Sequence, residues 1–74
     1  MIQELDRVIL TSDIPEYSLE EGEIGTVVLV HQGGKRYEVE FVTLDGETVA
    51  IASLNSVQVH HIARREIARS RVIN

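Results

Sequence analysis

The chain contains no cysteine. A disulfide framework, a thiolate metal site and a cysteine nucleophile are therefore all excluded, and the interior must hold itself together by packing alone. There is no tryptophan, and Tyr17, Tyr37 and Phe41 are the whole aromatic complement, so few rings are on offer for stacking on bases. No stretch approaches the roughly 20 apolar residues that span a bilayer. The start, MIQELDRVIL, has acids where a secretory signal would need bases, and a soluble cytoplasmic protein with no membrane association is expected. Positive charge is scarce outside the last segment. Residues 1 to 58 hold 3 basic and 11 acidic side chains, net -8, whereas residues 59 to 74 hold 4 arginines and 1 glutamate, net +3. The body repels polyanions, and only the tail attracts them.

What remains is a 74-residue chain with 43% hydrophobic residues. It is long enough for one small domain with modest stability. DRVILT, residues 6 to 11, is short and rich in β-branched residues, and SDIPEY then brings turn chemistry. The following loop carries Leu19 as an anchor among glutamates. Gly22 and Gly25 precede Thr26 to Val30, a strand by propensity. A phosphate cradle would need a helix start after the glycines and a nearby lysine; here a strand follows and Glu20, Glu21 and Glu23 surround them. The glycines read as a hinge.

Gly33-Gly34 marks a hairpin, after which Tyr37, Val39 and Phe41 alternate with Arg36, Glu38 and Glu40. Asp45-Gly46 marks a second hairpin leading to a strand at Thr48 to Ala52. Leu54-Asn55-Ser56 reads as a single 3₁₀ turn before a closing strand, Val57 to Val59. Five short strands with tight reversals predict an all-β fold, a small five-stranded SH3-like barrel over residues 1–59, since closure removes exposed edges. The alternative OB barrel places a helix between strands three and four, where this chain has room only for a hairpin. Val8, Leu10, Leu19, Val27, Leu29, Val39 and Phe41 are the expected core, with Tyr37 partly buried.

The succession LDRVILTSDIPEYSLEEGEIGTVVLV…YEVEFVTLDGETVAI resembles a family of short bacterial proteins, common in cyanobacteria and described as a domain of unknown function. The resemblance spans about residues 5 to 59 and rests on Asp6, Val8, Leu10, Asp13, Pro15, Leu19, Gly22, Gly25, Thr26, Val27, Val28, Tyr37, Val39, Glu40, Phe41 and Gly46. It implies an SH3-like barrel and no established activity. GEIGTVV is more distantly similar to the KOW motif of SH3-like domains in ribosomal and transcription proteins, with glutamates where those carry bases.

Candidate chemistry is sparse. His60 and His61 are adjacent, so in a strand they point to opposite faces and cannot chelate one ion together. The carboxylates at Glu20, Glu21, Glu23, Glu38 and Glu40 read as a solvated acidic face, and no serine sits in a nucleophile elbow. No catalytic, cofactor or metal residues are assigned, and no enzyme is expected. Two features invite an interaction role. In Thr26 to Val30 strict alternation places one pair of aliphatics, Val27 and Leu29 or Val28 and Val30, outside the core; Ile9 and Ile51 raise the same problem. The tail, residues 60–74, reads as a short amphipathic helix over 63–69 with Ile62, Ala63 and Ile67 on one side and arginines elsewhere, too short to stand without a partner surface.

Partner-binding residues are accordingly expected at Val28, Val30, Ile62, Arg64, Arg65, Ile67, Arg69 and Arg71. The preferred reading is a protein-interaction module for a co-expressed protein partner, of the antitoxin or immunity kind. The alternatives are a nucleic-acid or ribosome-associated domain working through the tail, and a structural subunit that self-associates through it.

Overall fold

A computed structural model describes residues 2–42 and 48–62. Five strands form one antiparallel sheet: β1 (Arg7–Leu10), β2 (Ile24–His31), β3 (Arg36–Val42), β4 (Thr48–Asn55) and β5 (Val59–Ile62). Their order is β4-β3-β2-β1-β5, which places β4 and β5 at the edges. The all-β expectation holds, and among the described residues no helix is long and apolar enough to cross a membrane. The helix expected over 63–69 lies outside the described residues, as does the turn at Asp45-Gly46.

The inner face repeats the alternation of the sequence. Val8 and Leu10 of β1, Val27 of β2, Tyr37, Val39 and Phe41 of β3, Ala52 and Leu54 of β4 and Val59 of β5 are all buried. Each is flanked by residues that face out, as a half-buried strand requires. Tyr37 lies deeper than expected, at 4% exposure. Ile14 and Leu19, both buried, bracket a 3₁₀ turn at Pro15–Tyr17. Each donates its N–H to the other's carbonyl, at 2.8 and 3.2 Å. Proline fixes the φ that starts the turn, and Ser18 in the left-handed region (φ 57°) ends it. The long first loop is thereby stapled to the core by two aliphatics rather than by Leu19 alone.

One irregularity sets the shape of β2. Val27 pairs with Val39 but Leu29 pairs with Glu38, leaving Val28 as an extra residue, a β-bulge. A bulge resets the inside-outside alternation, so Val27 and then Val30 face the core, while Val28 and Leu29 both stay on the surface. Leu29, expected in the core, is therefore 42% exposed. Val30, expected as a partner contact, packs against the buried cluster instead.

The two glycines before the bulge act differently. Gly22 turns the chain with φ 94° and open space around it. Gly25 lies within β2 where a Cβ would meet Val39 Cγ1 at 2.6 Å, Phe41 Cε2 at 2.8 Å and the Glu40 carbonyl at 2.9 Å. Only a residue without a side chain lets β3 pass that closely.

At the following hairpin, Gln32 and Gly33 both have positive φ and the Gly34 N–H donates to the His31 carbonyl at 3.0 Å, the pattern of a type I′ turn. The expected turn at Leu54-Asn55-Ser56 is corrected in part, because β4 runs on to Asn55 and the reversal occupies residues 56 to 58. Asn55 Oδ1 accepts from the Val57 N–H at 3.0 Å, and Gln58 Oε1 accepts from the Asn55 N–H at 2.9 Å. A second outward N–H of edge strand β4, that of Ser53, donates to the Tyr17 hydroxyl at 3.4 Å. Side chains thus cover part of this edge. The last strand starts at Val59 rather than Val57, so His60, His61 and Ile62, read with the tail, belong to β5.

Candidate interaction surface

Residues directly opposite each other on antiparallel strands share a face. The register therefore defines one row across the outside of all five strands: Ile51, Glu40, Thr26, Arg7 and Ile62. The next row on the β4-β3-β2 half is Ser53, Glu38 and Leu29, followed by Asn55, Arg36 and His31. Aliphatic and acidic side chains interleave here. Ile51 is 54% exposed beside Glu40, and Leu29 stands beside Glu38 with the bulged Val28 next along the strand.

Local pairs order the polar part of the surface. His31 Nε2 lies 3.2 Å from Glu38 Oε2, and Arg36 Nε donates to Ser53 Oγ at 3.1 Å. Both contacts run diagonally between neighbouring rows. Among the described residues Glu40 forms no ion pair, although it lies one strand from Thr26 and two from Arg7. An exposed pair such as His31 with Glu38 adds little to stability, so these carboxylates are not committed to holding the fold.

The acidic loop between β1 and β2 is built otherwise. The Glu20 N–H donates to Glu23 Oε2 at 2.7 Å and the Glu21 N–H to Asp13 Oδ1 at 2.9 Å. The Gly22 N–H donates to the Leu10 carbonyl at 2.9 Å and that of Glu23 to the Glu20 carbonyl at 3.2 Å. Every backbone donor from residue 20 to 23 is thus engaged by the chain's own oxygens. An anion could bind there only by displacing them, so the hinge reading of the glycines agrees with the geometry.

The histidines are dispersed. His31 sits by Glu38, His61 Nε2 lies 3.5 Å from Asp6 Oδ2, and His60 stands opposite Ile9. Asp6 also accepts from the Gln3 N–H at 2.8 Å, closing the turn that leads into β1. Among the described residues no three histidine, cysteine or acidic side chains converge as metal ligands.

Of the expected partner residues, Val28 is exposed, Val30 faces the core and Ile62 is half-buried on β5. Arg64, Arg65, Ile67, Arg69 and Arg71 lie outside the described residues. Sequence reasoning missed Leu29 as a surface residue. The signal was the run Val27-Val28-Leu29-Val30 itself, since four successive aliphatics cannot all alternate into one core and such a run is where a bulge relieves the conflict.

The family described as a domain of unknown function (DUF4926) matches residues 4–61. The chain belongs to that family. The matched DUF4926 segment starts at the turn before β1 and ends within β5, so it reaches all five strands and stops short of the four arginines at positions 64, 65, 69 and 71. No curated protein and no solved structure matches the chain.

Proposed function

We propose that this chain is a non-enzymatic interaction module, an SH3-like barrel in the cytoplasm whose exterior binds a co-expressed protein partner, as an antitoxin or immunity protein does. The strand order β4-β3-β2-β1-β5, with a bulged second strand shared between the two halves of the sheet, supports the SH3-like reading. The observation that carries the functional reading is the outer surface on which Leu29, Ile51 and Val28 stand exposed beside Glu38 and Glu40. Exposed aliphatics supply anchors that gain by desolvation, and carboxylates next to them speed encounter with a basic partner and fix its register. The partner fitted to this surface is a basic protein that presents apolar side chains.

Affinity capture from the native host tests the reading, with wild-type bait run beside a Leu29→Lys/Ile51→Lys bait of matched thermal stability. A basic protein retained by the first bait and lost from the second supports it. Capture of RNA or DNA instead, with binding that falls steeply as salt rises, would move the activity to the arginine-rich tail and overturn it.

A further inference from the structure

We infer that Leu5 is a docking anchor, held on a strained backbone so that the basic, apolar protein partner proposed above receives it in an apolar pocket edged by cations. The inference rests on that reading and adds to it a contact at the turn leading into β1. Gln3 to Asp6 form a β-turn closed by the Asp6 N–H, which donates to the Gln3 carbonyl at 3.1 Å. Leu5, its third residue, has φ 75°, whereas Glu4 keeps a negative φ. That is the pattern of a type II turn, whose third place ordinarily goes to glycine or asparagine. The turn runs straight into a bulge. The Leu5 N–H donates to the Val27 carbonyl at 2.7 Å and the Val27 N–H to the Asp6 carbonyl at 2.9 Å, so Leu5 and Asp6 together oppose Val27. The first residue of such a bulge is left-handed and as a rule glycine.

Two local rules thus ask for glycine where the chain has leucine, whose Cβ crowds the following carbonyl in this conformation. The fold gains no burial in return, since Leu5 is 80% exposed. Ser18 and Gln32, the other described non-glycine residues with positive φ, are polar. Nor is the turn a loose end: Ile2 packs against the core, and Asp6 Oδ2 accepts the Gln3 N–H at 2.8 Å. A residue that its own backbone disfavours, presented rigidly and left exposed, points to a use outside the chain.

Charge selects the occupant. Leu5 lies between the exposed Glu4 and Asp6, on a body whose residues 1 to 58 hold 3 bases and 11 acids. The neighbouring cation, Arg7, stands in the outer row opposite Thr26. A second copy of this body would be repelled, as would a nucleic acid, and a basic protein attracted. Position joins the turn to the surface already described, because Val27, which Leu5 opposes, is followed on β2 by the exposed Val28 and Leu29. Val57 supplies an internal contrast: it is 79% exposed, but it lies between Ser56 and Gln58 and has no positive φ.

The test uses the full chain as wild type, Leu5→Gly, which relieves the backbone and removes the anchor, and Leu5→Ala, which removes the anchor alone. Urea titration should show the folding constant rising about threefold in Leu5→Gly and staying within about twofold in Leu5→Ala. Octyltrimethylammonium, a cationic apolar probe kept below its micelle concentration, is then titrated while amide signals are followed. Expected are saturable shifts at Glu4, Leu5, Asp6, Val28 and Leu29 that exceed those at Val57, with the shifts at residues 4 to 6 lost in both variants. A fall in the folding constant of Leu5→Gly would show that the leucine serves the fold and would overturn the inference. So would unmoved signals at residues 4 to 6, or an equal response at Val57, which would mark adventitious apolar binding only. The capture experiment decides the partner reading on Leu29 and Ile51, so failure of the anchor and failure of that reading are told apart.

Discussion

The acidic loop between β1 and β2 and the acidic surface of β3 have much the same composition and use it in opposite ways. In the loop, Asp13 and Glu23 turn their oxygens onto the backbone N–H groups of Glu21 and Glu20, so the charge closes a turn. On β3, Glu38 and Glu40 project from a strand whose backbone is already bonded to β2 and β4, so their oxygens face outward, Glu38 meeting only a histidine among the described residues. A carboxylate's role follows from whether the nearest backbone donors are free. Turns leave donors to satisfy; sheet interiors do not.

Four substitutions sharpen this contrast. Gly25→Val joins the loop to the sheet in the wrong shape, since its side chain would overlap Val39, Phe41 and the Glu40 carbonyl. We expect no cooperative melt at any temperature. Phe41→Ala, one residue from Glu40 but on the buried face, should cost about 3 to 5 kcal/mol, read from denaturant titration. Asp13→Ala removes a charge-assisted bond in an exposed loop, and after allowance for solvent screening should cost about 1 kcal/mol by the same titration. Glu40→Gln should change stability by less than about 0.5 kcal/mol. If Asp13→Ala proved as mild as Glu40→Gln, the distinction between closing carboxylates and outward ones would fail.

Much of this was legible from residue order. The strict alternation of Tyr37, Val39 and Phe41 with Glu38 and Glu40 placed β3 correctly on both faces, because each polar residue had one direction in which it could remain hydrated. The same alternation runs on through Ala52, Ser53, Leu54 and Asn55, and β4 follows it past the expected turn. Asn55 carries turn chemistry, but here its side chain caps the turn from the end of the strand. The bulge at Val28 was not legible as a position, because a run of aliphatics gives no polar residue to mark which one faces water. Ile14 was obscured for a different reason. It lies among turn formers, and its burial depends on pairing with Leu19 across the 3₁₀ turn, a contact that local propensity does not encode.

The candidate surface was half visible. Excess aliphatics on β2 and Ile51 announced an apolar exterior, but which of them faced out depended on the bulge, and their adjacency to Glu38 and Glu40 depended on strand register. Register across three strands is a tertiary fact, set by the packing of Val39 and Phe41 against Val27, Gly25 and Ala52.

The most direct test of the central claim, that the outer β2-β3-β4 surface is where a partner meets this chain, is the affinity of the captured partner for wild type and for Ile51→Lys. Ile51 is 54% exposed, so the lysine should leave the melting temperature unchanged. Binding at least about tenfold weaker is expected, equivalent to about 1.4 kcal/mol. Equal affinities at equal stability would contradict it.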